Sequence, residues 1–501
     1  MSKFPQPFLS TVSHWQATNR GVETLYNYNR DEPLPSDVVD YVIVGAGMAG
    51  ATMAYHLTRP GVADGRKVVV LEAKDVASGA SGRNGGHCAP FSFGTLSFLT
   101  KPLEEGGAGL SMEEAIELLD FEKRVLEYVD HVVEKEGWKD KVDFWKGEKV
   151  EVRISEARKA EMEDDYGRWV AAREDHPRFK GTEPEWTWCG DEVEAKRRTR
   201  ISNALGFSKG PAGSVHPHKL TTHFLKAAIA TGQADLFSWA PVQSVTQSGD
   251  EWTLEVHNRG VIRAKKVIFC TNAHTPHLFE EGNPIADYLT PFQAQAANVT
   301  RPTTYAGADY GIHSYTIEDG PYLIFTPHSG IVLGLHHVSA IEMGVMTHKE
   351  VFVEDDAHVA PGIKRWLEEY CKNNFADWGV EAPGEGVNRV WSGMLCATKD
   401  TLPLVGPIPG KEGLYIAAGY HGHGMARIPL VTRYLAELLT TGTWNPLLPR
   451  TFKVTPERFE RGRTAPPMYT EIEKMGGGLA GSLLKSLRLG SGVDQVASVV
   501  R

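Results

Sequence analysis

Three glycines stand at regular spacing near the start of the chain, in the run Gly45-Ala-Gly47-Met-Ala-Gly50. The run follows an apolar segment at residues 38–44, typical of a buried strand, and precedes a helix-forming segment at residues 51–58. In such a turn the first glycine permits the bend, the second lets the main chain approach a pyrophosphate, and the third lets the helix pack near the strand. The N–H groups that open the helix attract phosphate. The spacing therefore predicts a dinucleotide-binding turn.

A single acid, Glu72, ends the next apolar segment at residues 67–71 and lies 22 residues after Gly50. This is near the spacing at which a carboxylate accepts hydrogen bonds from ribose hydroxyls. A carboxylate there also repels a 2′-phosphate, which disfavours NADP. Strand, helix and strand in this order predict a βαβ unit that binds FAD or NAD.

Two further glycine-rich loops separate these two cofactors. One runs from Ser78 to Cys88 as SGASGRNGGHC, and its small residues let the main chain come close to a bulky ring system. The other runs from Gly419 to Met425 as GYHGHGM and opens a helix, whose partial positive charge can face the pyrimidine end of a flavin. A nicotinamide enzyme has no obvious need for either loop. The loops therefore favour FAD.

Length and composition are those of an ordinary globular protein. The 501 residues are 41% hydrophobic and 23% charged, which indicates two or three folding units. A formal charge of -10 gives no electrostatic basis for binding nucleic acid. The five cysteines form no CxxC pair, so we expect no metal site and a reducing compartment. Because no signal peptide or bilayer-spanning segment is evident, the sequence predicts a soluble, cytoplasmic protein.

Periodicity along the chain predicts further elements. Residues 1–36 show no sustained period and are expected to form an irregular arm over the surface. Charged residues dominate positions 111–200, which are expected to form a solvated, largely helical insertion. A helix is predicted from about Pro429. The tail leucines at 479, 483, 484 and 487 have helical spacing. A helix there would lie on a membrane surface, or it would be docked on the protein or be a frayed end. Strands are predicted at residues 252–256, 261–269, 322–325 and 331–335, which indicates a second domain with its own sheet.

Four motifs together resemble the D-amino-acid oxidase superfamily, which includes glycine oxidase, sarcosine oxidase and gamma-glutamylputrescine oxidoreductase. They are GAGMAG with Glu72, GASGRNGG at 79–86, VIFCTNA at 267–273, and RVWSGMLCATKDTLPLVG followed by AAGYHGHG. The resemblance covers about residues 37–445. The wording of GASGRNGG is most similar to the gamma-glutamylputrescine oxidoreductase branch.

The resemblance implies an α/β fold in two domains. An FAD-binding Rossmann-type domain of the glutathione-reductase-like kind would be assembled from residues 37–110, 205–280 and 385–445. A substrate domain built on a mixed sheet would comprise residues 111–204 and 281–384. The N-terminal arm at 1–36 and a C-terminal extension at 446–501 would lie outside both.

The resemblance also assigns residues to the cofactor. The glycines of the turn at residues 45–50 would face the pyrophosphate, and residues 81–86 of the first glycine loop, Ser78 to Cys88, would lie along the pyrophosphate and flavin. Glu72 would face the adenosine ribose, Val242 the adenine through its main chain, and residues 422–425 the pyrimidine edge. The full FAD-binding set is Gly45, Ala46, Gly47, Met48, Ala49, Gly50, Glu72, Ala73, Ser81, Arg83, Asn84, Gly85, Gly86, His87, Val242, Asn272, Gly393, Gly422, His423, Gly424 and Met425.

The reaction that the resemblance implies removes a hydride from the carbon next to an amine nitrogen, delivers it to flavin N5 and leaves an imine. His87 closes the first loop and is the first candidate to contact both flavin and substrate, although a structural role is equally open. His423 either tunes the flavin or caps its own loop. Tyr322 and Trp391 are candidates for an aromatic pocket wall, with core packing as the alternative.

Three positions depart from the pattern of the superfamily. Where sarcosine-oxidase-like members carry an oxygen-activating lysine, this chain has Val332, which counts against oxygen as the acceptor. Where they attach FAD to a cysteine, it has Gly393, so Cys396 or His87 would need a different geometry to form such a bond. The arginine and lysine that grip a substrate carboxylate are replaced by alanines at 89 and 426, with Arg427 next to the second. The last departure favours an amine or a remotely charged substrate over a simple α-amino acid.

Two other functions stay open on the sequence alone. The same fold can oxidise the C–O bond of a hydroxy compound, and a flavin-binding protein can serve as a scaffold without turnover. Under either enzymatic hypothesis the partner is a small molecule. The sequence does not predict an oligomeric state.

Overall fold

The fold was analysed in a computed structural model, which describes residues 10–305, 312–318 and 320–466. In chain order its strands are β1 (Val39–Val44), β2 (Val68–Leu71), β3 (His87–Cys88), β4 (Trp145–Arg153), β5 (Thr187–Cys189), β6 (Gly206–Ser214), β7 (Ala234–Phe237), β8 (Val242–Ser248), β9 (Glu251–Val256), β10 (Gly260–Phe269), β11 (Leu289–Thr300), β12 (Ile312–Ile317), β13 (Pro321–Phe325), β14 (Ile331–Leu335), β15 (Gly386–Thr398), β16 (Leu404–Pro407) and β17 (Leu414–Ala418).

Thirteen α-helices occur in the described residues. They are α1 (His14–Thr18), α2 (Met48–Leu57), α3 (Leu96–Thr100), α4 (Met112–Lys135), α5 (Glu156–Asp175), α6 (Glu192–Thr199), α7 (Pro217–Ile229), α8 (Pro284–Tyr288), α9 (His337–Glu342), α10 (His348–Val351), α11 (Pro361–Asn374), α12 (Ile428–Thr441) and α13 (Pro456–Arg461).

The first sheet has eight strands in the order β16-β17-β10-β1-β2-β7, with the β8–β9 hairpin added beside β10. β1 pairs in parallel with both β2 and β10. Alternate residues of β1 enter different cores: Tyr41 and Ile43 pack with α2, α7 and α12, whereas Val42 and Val44 pack toward the β8–β9 side. β1 is thus covered on both faces, which explains its nearly continuous apolar sequence.

The second sheet has nine strands in the order β15-β11-β14-β13-β12-β4-β6-β3, with β5 beside β6. The sheet is mixed, because β12 runs parallel to β4 while the other described strand pairs of this sheet are antiparallel. The mixed α/β fold predicted from the sequence is confirmed. Three of its strands, β3, β6 and β15, come from segments that the sequence assigned to the FAD-binding domain, and the domain boundaries stay a prediction.

The charged region at 111–200 differs from the largely helical, solvated insertion expected there. Its two long helices, α4 and α5, are present, but β4 and β5 lie between and after them and join the second sheet. α4 is not simply solvated, because one face, including Phe121 and Val125, is buried in the first core. The abundant charges hid a strand whose apolar residues occur only at every second position.

The N-terminal segment is not a surface arm over its described length. Trp15 on α1 is 1% exposed, and its Nε1 donates a hydrogen bond to Asn84 O at 2.6 Å. The Ser13 hydroxyl donates to Gly82 O at 2.5 Å. These two hydrogen bonds therefore anchor the first glycine loop to the N-terminal segment.

Within the described residues, no helix has both the length and the apolar character that crossing a bilayer requires. The leucines of the tail lie outside the described residues.

The turn between β1 and α2 depends on the missing side chains of two glycines. Gly45 has a φ of +102°, and a Cβ placed there would lie 2.8 Å from Cys270 O. A Cβ on Gly50 would lie 1.8 Å from Gly45 O, which is deep inside the van der Waals radii. The helix therefore rests directly on the main chain of the strand end, as the third glycine was predicted to allow.

We expect Gly50→Ala to destabilise the protein by at least several kcal/mol or to prevent folding, because the added methyl overlaps a main-chain oxygen. Gly167→Ala on α5 is the matched control, since nothing lies within 4 Å of the added Cβ. The control should be neutral or more stable by up to about 1 kcal/mol. Thermal unfolding followed by circular dichroism measures both, and equal midpoints for the two variants would contradict this packing.

A buried ion pair holds the C-terminal part of the described chain to the first sheet. Asp400 lies in the turn between β15 and β16, and the Arg458 guanidinium on α13 contacts both of its oxygens at 2.8 and 2.9 Å. Three main-chain carbonyls accept the remaining N–H groups of Arg458. Although burial raises the pKa of Asp400, Arg458 outweighs that effect and holds it below its usual range.

We expect Arg458→Met to lower the free energy of unfolding by about 3–5 kcal/mol, because it leaves the Asp400 carboxylate buried without its cation. Arg461→Met removes a second arginine near the same carboxylate, but that side chain is 44% exposed and 3.7 Å away. Its loss should cost about 1 kcal/mol or less. Denaturant titration compares the two, and similar costs would show that the buried pair contributes no more than the surface contact.

Candidate active site

A narrow groove of about 170 Å³ opens where β1 ends and α2 begins. The turn contributes Gly45, Gly47, Met48 and Ala49 to its lining, and the two glycines leave main chain exposed there. One wall is the first glycine loop, and the opposite wall is formed by the start of β8 and the end of β10. Predicted FAD-binding residues in its lining are Gly45, Gly47, Met48, Ala49, Glu72, Ala73, Ser81, Asn84, Val242, Asn272, Gly422, Gly424 and Met425.

Glu72 lies at the edge of this groove and is fixed by main-chain donors. Its Oε2 accepts a hydrogen bond from Ala46 N at 2.7 Å and its Oε1 accepts one from Lys74 N at 2.9 Å. Burial raises the pKa of Glu72, and these two N–H groups act against that rise. Oε1 also accepts from the Ser78 hydroxyl at 3.4 Å, whereas Oε2 keeps a second lone pair that can accept from a ribose hydroxyl.

The first glycine loop closes over the start of α2. Ser81 Oγ accepts a hydrogen bond from Met48 N at 2.7 Å. Arg83 is 5% exposed and donates to Ser78 O at 2.8 Å and to Ser392 O at 2.9 Å. Burial lowers the pKa of Arg83, while Asp356 at 3.3 Å opposes that effect. Arg83 therefore ties the loop to β15 and lies between the groove and the larger cavity beyond it.

Trp391 stands apart from the other predicted catalytic residues. It is fully buried, does not line either described cavity, and donates its Nε1 hydrogen to Arg83 O at 2.7 Å. The interpretation as core packing is the one that its position fits. Ala46, Gly50 and Gly86 also lie outside the lining, where they support the loops rather than face the hollow space.

A larger cavity of about 470 Å³ adjoins the groove. Residues from both glycine loops form the boundary, because Ala80, Asn84, Leu395, Gly422 and Met425 line both spaces. Predicted site residues that line the larger cavity are Arg83, Asn84, Gly85, His87, Tyr322, Gly393, Gly422, His423 and Met425. The structure thus brings most of the predicted set around one hollow with a narrow and a wide part.

His87 and Tyr322 lie on the same wall of this cavity, with ring centroids 6.4 Å apart. His87 Nε2 forms a short hydrogen bond with the Ser314 hydroxyl on β12. Burial is the largest of the causes that hold the pKa of His87 well below its usual value. Burial also raises the pKa of Tyr322 to about 12. Both side chains therefore face the cavity in their neutral forms.

His423 belongs to a buried charge network that the sequence did not reveal. Its ring stacks on Phe91 at a centroid distance of 3.7 Å, and its Nε2 lies 2.9 Å from Glu122 Oε2. Arg427 Nε contacts the other oxygen of Glu122 at 2.8 Å, and Phe91 N donates to Oε2 at 2.7 Å. Burial acts to raise the pKa of Glu122, but these partners hold it at about 2. Burial lowers the pKa of His423 despite the carboxylate. The network orients the second glycine loop.

Three more histidines line the wide part of the cavity. His336 and His337 lie at the start of α9, and His421 lies on the second glycine loop. Burial lowers the pKa of His336 to about 4 and that of His421 to about 3. His337 Nε2 and His421 Nδ1 have no hydrogen-bond partner among the described residues. The sequence patterns HGH at 421–423 and HH at 336–337 mark these histidines, and the sequence analysis assigned a site role only to a histidine of the first pattern.

Charged side chains also line the wide part of the cavity. Lys149, Glu151 and Arg153 on β4 line the cavity, and so do Arg158 on α5 and Glu318. Sequence reasoning missed them because β4 itself was missed. The alternation in KVEVR, with charged residues at every second position, was the signal that would have identified the strand.

The structure also locates the positions that depart from the superfamily pattern. Val332 is buried with Trp15 and Trp391 in a small core. Cys396 is fully buried outside the lining of both cavities, and burial raises the pKa of its thiol. Ala89 and Ala426 do line the large cavity. Arg427 points away to Glu122 and is no substitute for a substrate clamp.

These features fit an extended dinucleotide with a bulky ring. The groove offers bare main chain, a helix start and one carboxylate for the pyrophosphate and ribose. The wide cavity, reached past the two glycine loops, has room for a ring system and a small molecule beside it.

Comparisons with known proteins agree with this geometry. The probable oxidoreductase OrdL of Haemophilus influenzae is 23% identical over 405 residues, which is 80% of this chain and 82% of that protein. The gamma-glutamylputrescine oxidoreductase of Escherichia coli is 24% identical over 420 residues, covering 80% of this chain and 83% of that protein. The crystal structure of glycine oxidase from Geobacillus kaustophilus matches with a TM-score of 0.64 at 18% identity, covering 84% of this chain and 99% of that one. At this identity the structural match shows the fold alone.

The DAO family model, described as FAD dependent oxidoreductase, matches residues 40–438. That span includes both glycine loops, the groove and the lining of the wide cavity, and it confirms the cofactor predicted from the sequence. The chain belongs to the DAO family of FAD-dependent oxidoreductases.

Proposed function

We propose that this protein oxidises the C–N bond of an amine or amino acid. The observation that carries the proposal is the joined pair of spaces: a groove for the dinucleotide adjoins a wider cavity whose lining includes neutral imidazoles and a tyrosine. FAD, when bound, supplies an acceptor for two electrons and a hydrogen at flavin N5. The groove residues predicted from the sequence hold it there, with Glu72 on the ribose and Arg83, Asn84 and residues 422–425 around the ring.

The cavity residues bind and orient the substrate in its neutral form. A hydride leaves the carbon next to nitrogen, the nitrogen lone pair forms the C=N bond, and the N–H proton is lost, so the product is an imine that water hydrolyses. A neutral imidazole such as His87 or His421 can accept a hydrogen bond from the amine without electrostatic repulsion. His423 is a positioning residue, since Phe91 and Glu122 fix its ring.

The names of related proteins support this class of substrate. Relatives over about four-fifths of this chain include a glycine oxidase of Geobacillus kaustophilus, of which the match covers 92%, and a 4-methylaminobutanoate oxidase of Paenarthrobacter nicotinovorans, of which it covers 46%. Their identities to this chain are 23% and 24%, so the substrate itself is not transferred. What they share in name is a nitrogen-bearing substrate.

The cavity favours an amine without an α-carboxylate over a simple α-amino acid. The two positions that would grip such a carboxylate are alanines, and Arg427 is only 2% exposed and paired with Glu122. Moving Arg427 toward a substrate would leave Glu122 buried without its cation.

To test the proposed reaction, the yellow holoprotein is mixed anaerobically with one compound at a time. Reduction is followed as loss of the visible flavin absorbance, at about 450 nm. We expect primary or secondary amines to bleach the flavin and the corresponding alcohols to leave it oxidised. Bleaching by alcohols but by neither amines nor amino acids would show that the enzyme oxidises a C–O bond instead. No bleaching by amines, amino acids or alcohols would contradict the proposal.

The pH dependence of this half-reaction has a predictable sign. Because burial keeps the pKa values of the cavity histidines below their ordinary value, they stay neutral from pH 6.5 upward. The substrate amine must lose its proton to supply a lone pair, and its pKa is near that of lysine, about 10.4. The second-order rate of flavin reduction should therefore rise about tenfold per pH unit between pH 6.5 and 9. A change of slope between pH 6.5 and 7.5 in the plot of the logarithm of this rate against pH would show that a histidine titrates in the cavity.

A further inference from the structure

Strand β4 presents a row of charges to the wide cavity. Lys149, Glu151 and Arg153 line it, whereas Val150 and Val152 on the opposite face are buried in the second core. Successive side chains of a strand point to opposite faces, so the three charged groups share one wall. A charged wall in a cavity that buries its ligand must be balanced, either by the protein or by what binds.

The first two groups balance each other. Lys149 Nζ lies 2.7 Å from Glu151 Oε1, and both side chains are 6% exposed. The Ser92 hydroxyl donates to the other oxygen of Glu151 at 2.5 Å. Glu151 therefore has a close donor on each oxygen and little capacity left for a third strong partner.

Arg153 is left without a comparable partner. Its side chain is 13% exposed, and Nη2 lies 3.7 Å from Glu151 Oε2, which is beyond hydrogen-bond distance. Its nearest described acceptor is the thioether Sδ of Met162 at 3.1 Å, followed by Val152 O at 3.5 Å. A guanidinium has five N–H donors and a thioether is a weak acceptor. A mostly buried cation with these partners is costly unless an anion completes it.

The other charged residues of the lining do have close partners. Arg158 pairs with Glu161 at 2.5 Å, and Arg83 donates to Ser78 O at 2.8 Å. Among the charged side chains that the structure describes in this lining, Arg153 alone lacks an oxygen acceptor within 3.4 Å. The acids are also satisfied: Asp165 accepts from Ser97 and Arg168, and Glu318 accepts from Ile154 N, Ser155 N and the Ser155 hydroxyl.

The position of Arg153 along β4 sets its distance from the reacting end. Lys149 is the register partner of Ser314, whose hydroxyl bonds to His87 at the boundary with the FAD groove. Arg153 lies four residues further along the strand, which corresponds to about 13 Å between the Cα atoms. An α-carboxylate is separated from its nitrogen by a single carbon and cannot span from the His87 end to Arg153.

We propose that Arg153 binds an anionic group of the substrate, a carboxylate several bonds from the reacting C–N bond. The proposal rests on the proposed amine oxidation and narrows it to ω-amino carboxylates and amines of similar charge arrangement. Arg153 supplies the planar pair of N–H donors that a carboxylate matches. This recognition replaces the clamp that is missing at Ala89 and Ala426.

A set of matched compounds tests the proposal on the unaltered holoprotein. 5-Aminopentanoate, pentylamine and 1,5-diaminopentane share a chain length and differ only in the group at the far end. We expect half-saturation of flavin reduction at about 10- to 100-fold lower concentration for 5-aminopentanoate than for pentylamine, the range of a charge-assisted hydrogen bond. A preference for the diamine, or for glycine over 5-aminopentanoate, would overturn the proposal while leaving amine oxidation in place.

Arg153→Met tests the residue itself. We expect it to remove the advantage of 5-aminopentanoate over pentylamine, and Arg153→Lys to restore part of it. Lys159→Met on α5 is the control, because it removes one positive charge from a residue outside the cavity lining. Equal loss of the advantage in the control would assign the effect to overall charge and reject Arg153 as the binding residue.

A binding measurement separates failure of this proposal from failure of the proposed function. Pentanoate has no amine, so its binding can be followed through its perturbation of the oxidised flavin spectrum whether or not any amine is turned over. We expect saturable binding that Arg153→Met weakens about 10-fold or more. Absence of pentanoate binding to the unaltered holoprotein would reject the anion site. If Arg153→Met does not fold, the matched compounds and pentanoate on the unaltered protein decide.

Discussion

The site depends on how three consecutive main-chain carbonyls in the first glycine loop are satisfied. Gly82 O accepts from the Ser13 hydroxyl, Arg83 O from Trp391 Nε1, and Asn84 O from Trp15 Nε1. A buried carbonyl without a donor costs free energy comparable to a lost hydrogen bond, so a loop of glycines cannot be buried unaided. Donors from two distant segments make burial possible. The loop can then form the boundary between groove and cavity, with Ala80 and Asn84 lining both spaces.

Electrostatics in the cavity follow from the same burial. Solvent is excluded from the histidines, so their pKa values fall and they remain neutral where a surface histidine would begin to titrate. Glu122, an acid in contact with His423, is held ionised by Arg427, His423 and Phe91 N together. Other charges of the lining are paired within the protein, as Lys149 is with Glu151 and Arg158 is with Glu161. The surface that the histidines form is thus suited to a neutral amine.

Sequence reasoning located the features that depend on local spacing. The turn at Gly45 to Gly50, Glu72 at the strand end and the two glycine loops were all predicted, because each follows from a short-range rule about backbone or periodicity. Trp15 was not predicted to be part of the site, since one indole in an irregular segment has no periodic signal. Glu122 was missed because an acid on an amphipathic helix is indistinguishable from its solvated neighbours until the fold buries it. β4 was missed because charges at alternate positions resemble a hydrophilic stretch. Only the folded structure shows that these charged side chains face a cavity.

Because Asp400 pairs with Arg458, the order in which the chain is synthesised affects the order in which the first sheet assembles. β1 emerges from the ribosome early, but its neighbour β10 ends at Phe269, and β17 beside β10 ends only at Ala418. Even then the carboxylate beneath the β15–β16 turn has no cation until residue 458 has been added. The sheet that carries the dinucleotide groove can therefore reach its final stability only after residue 458 has been synthesised. Before that point its nascent strands present unpaired edges, which is the state that chaperones recognise and protect.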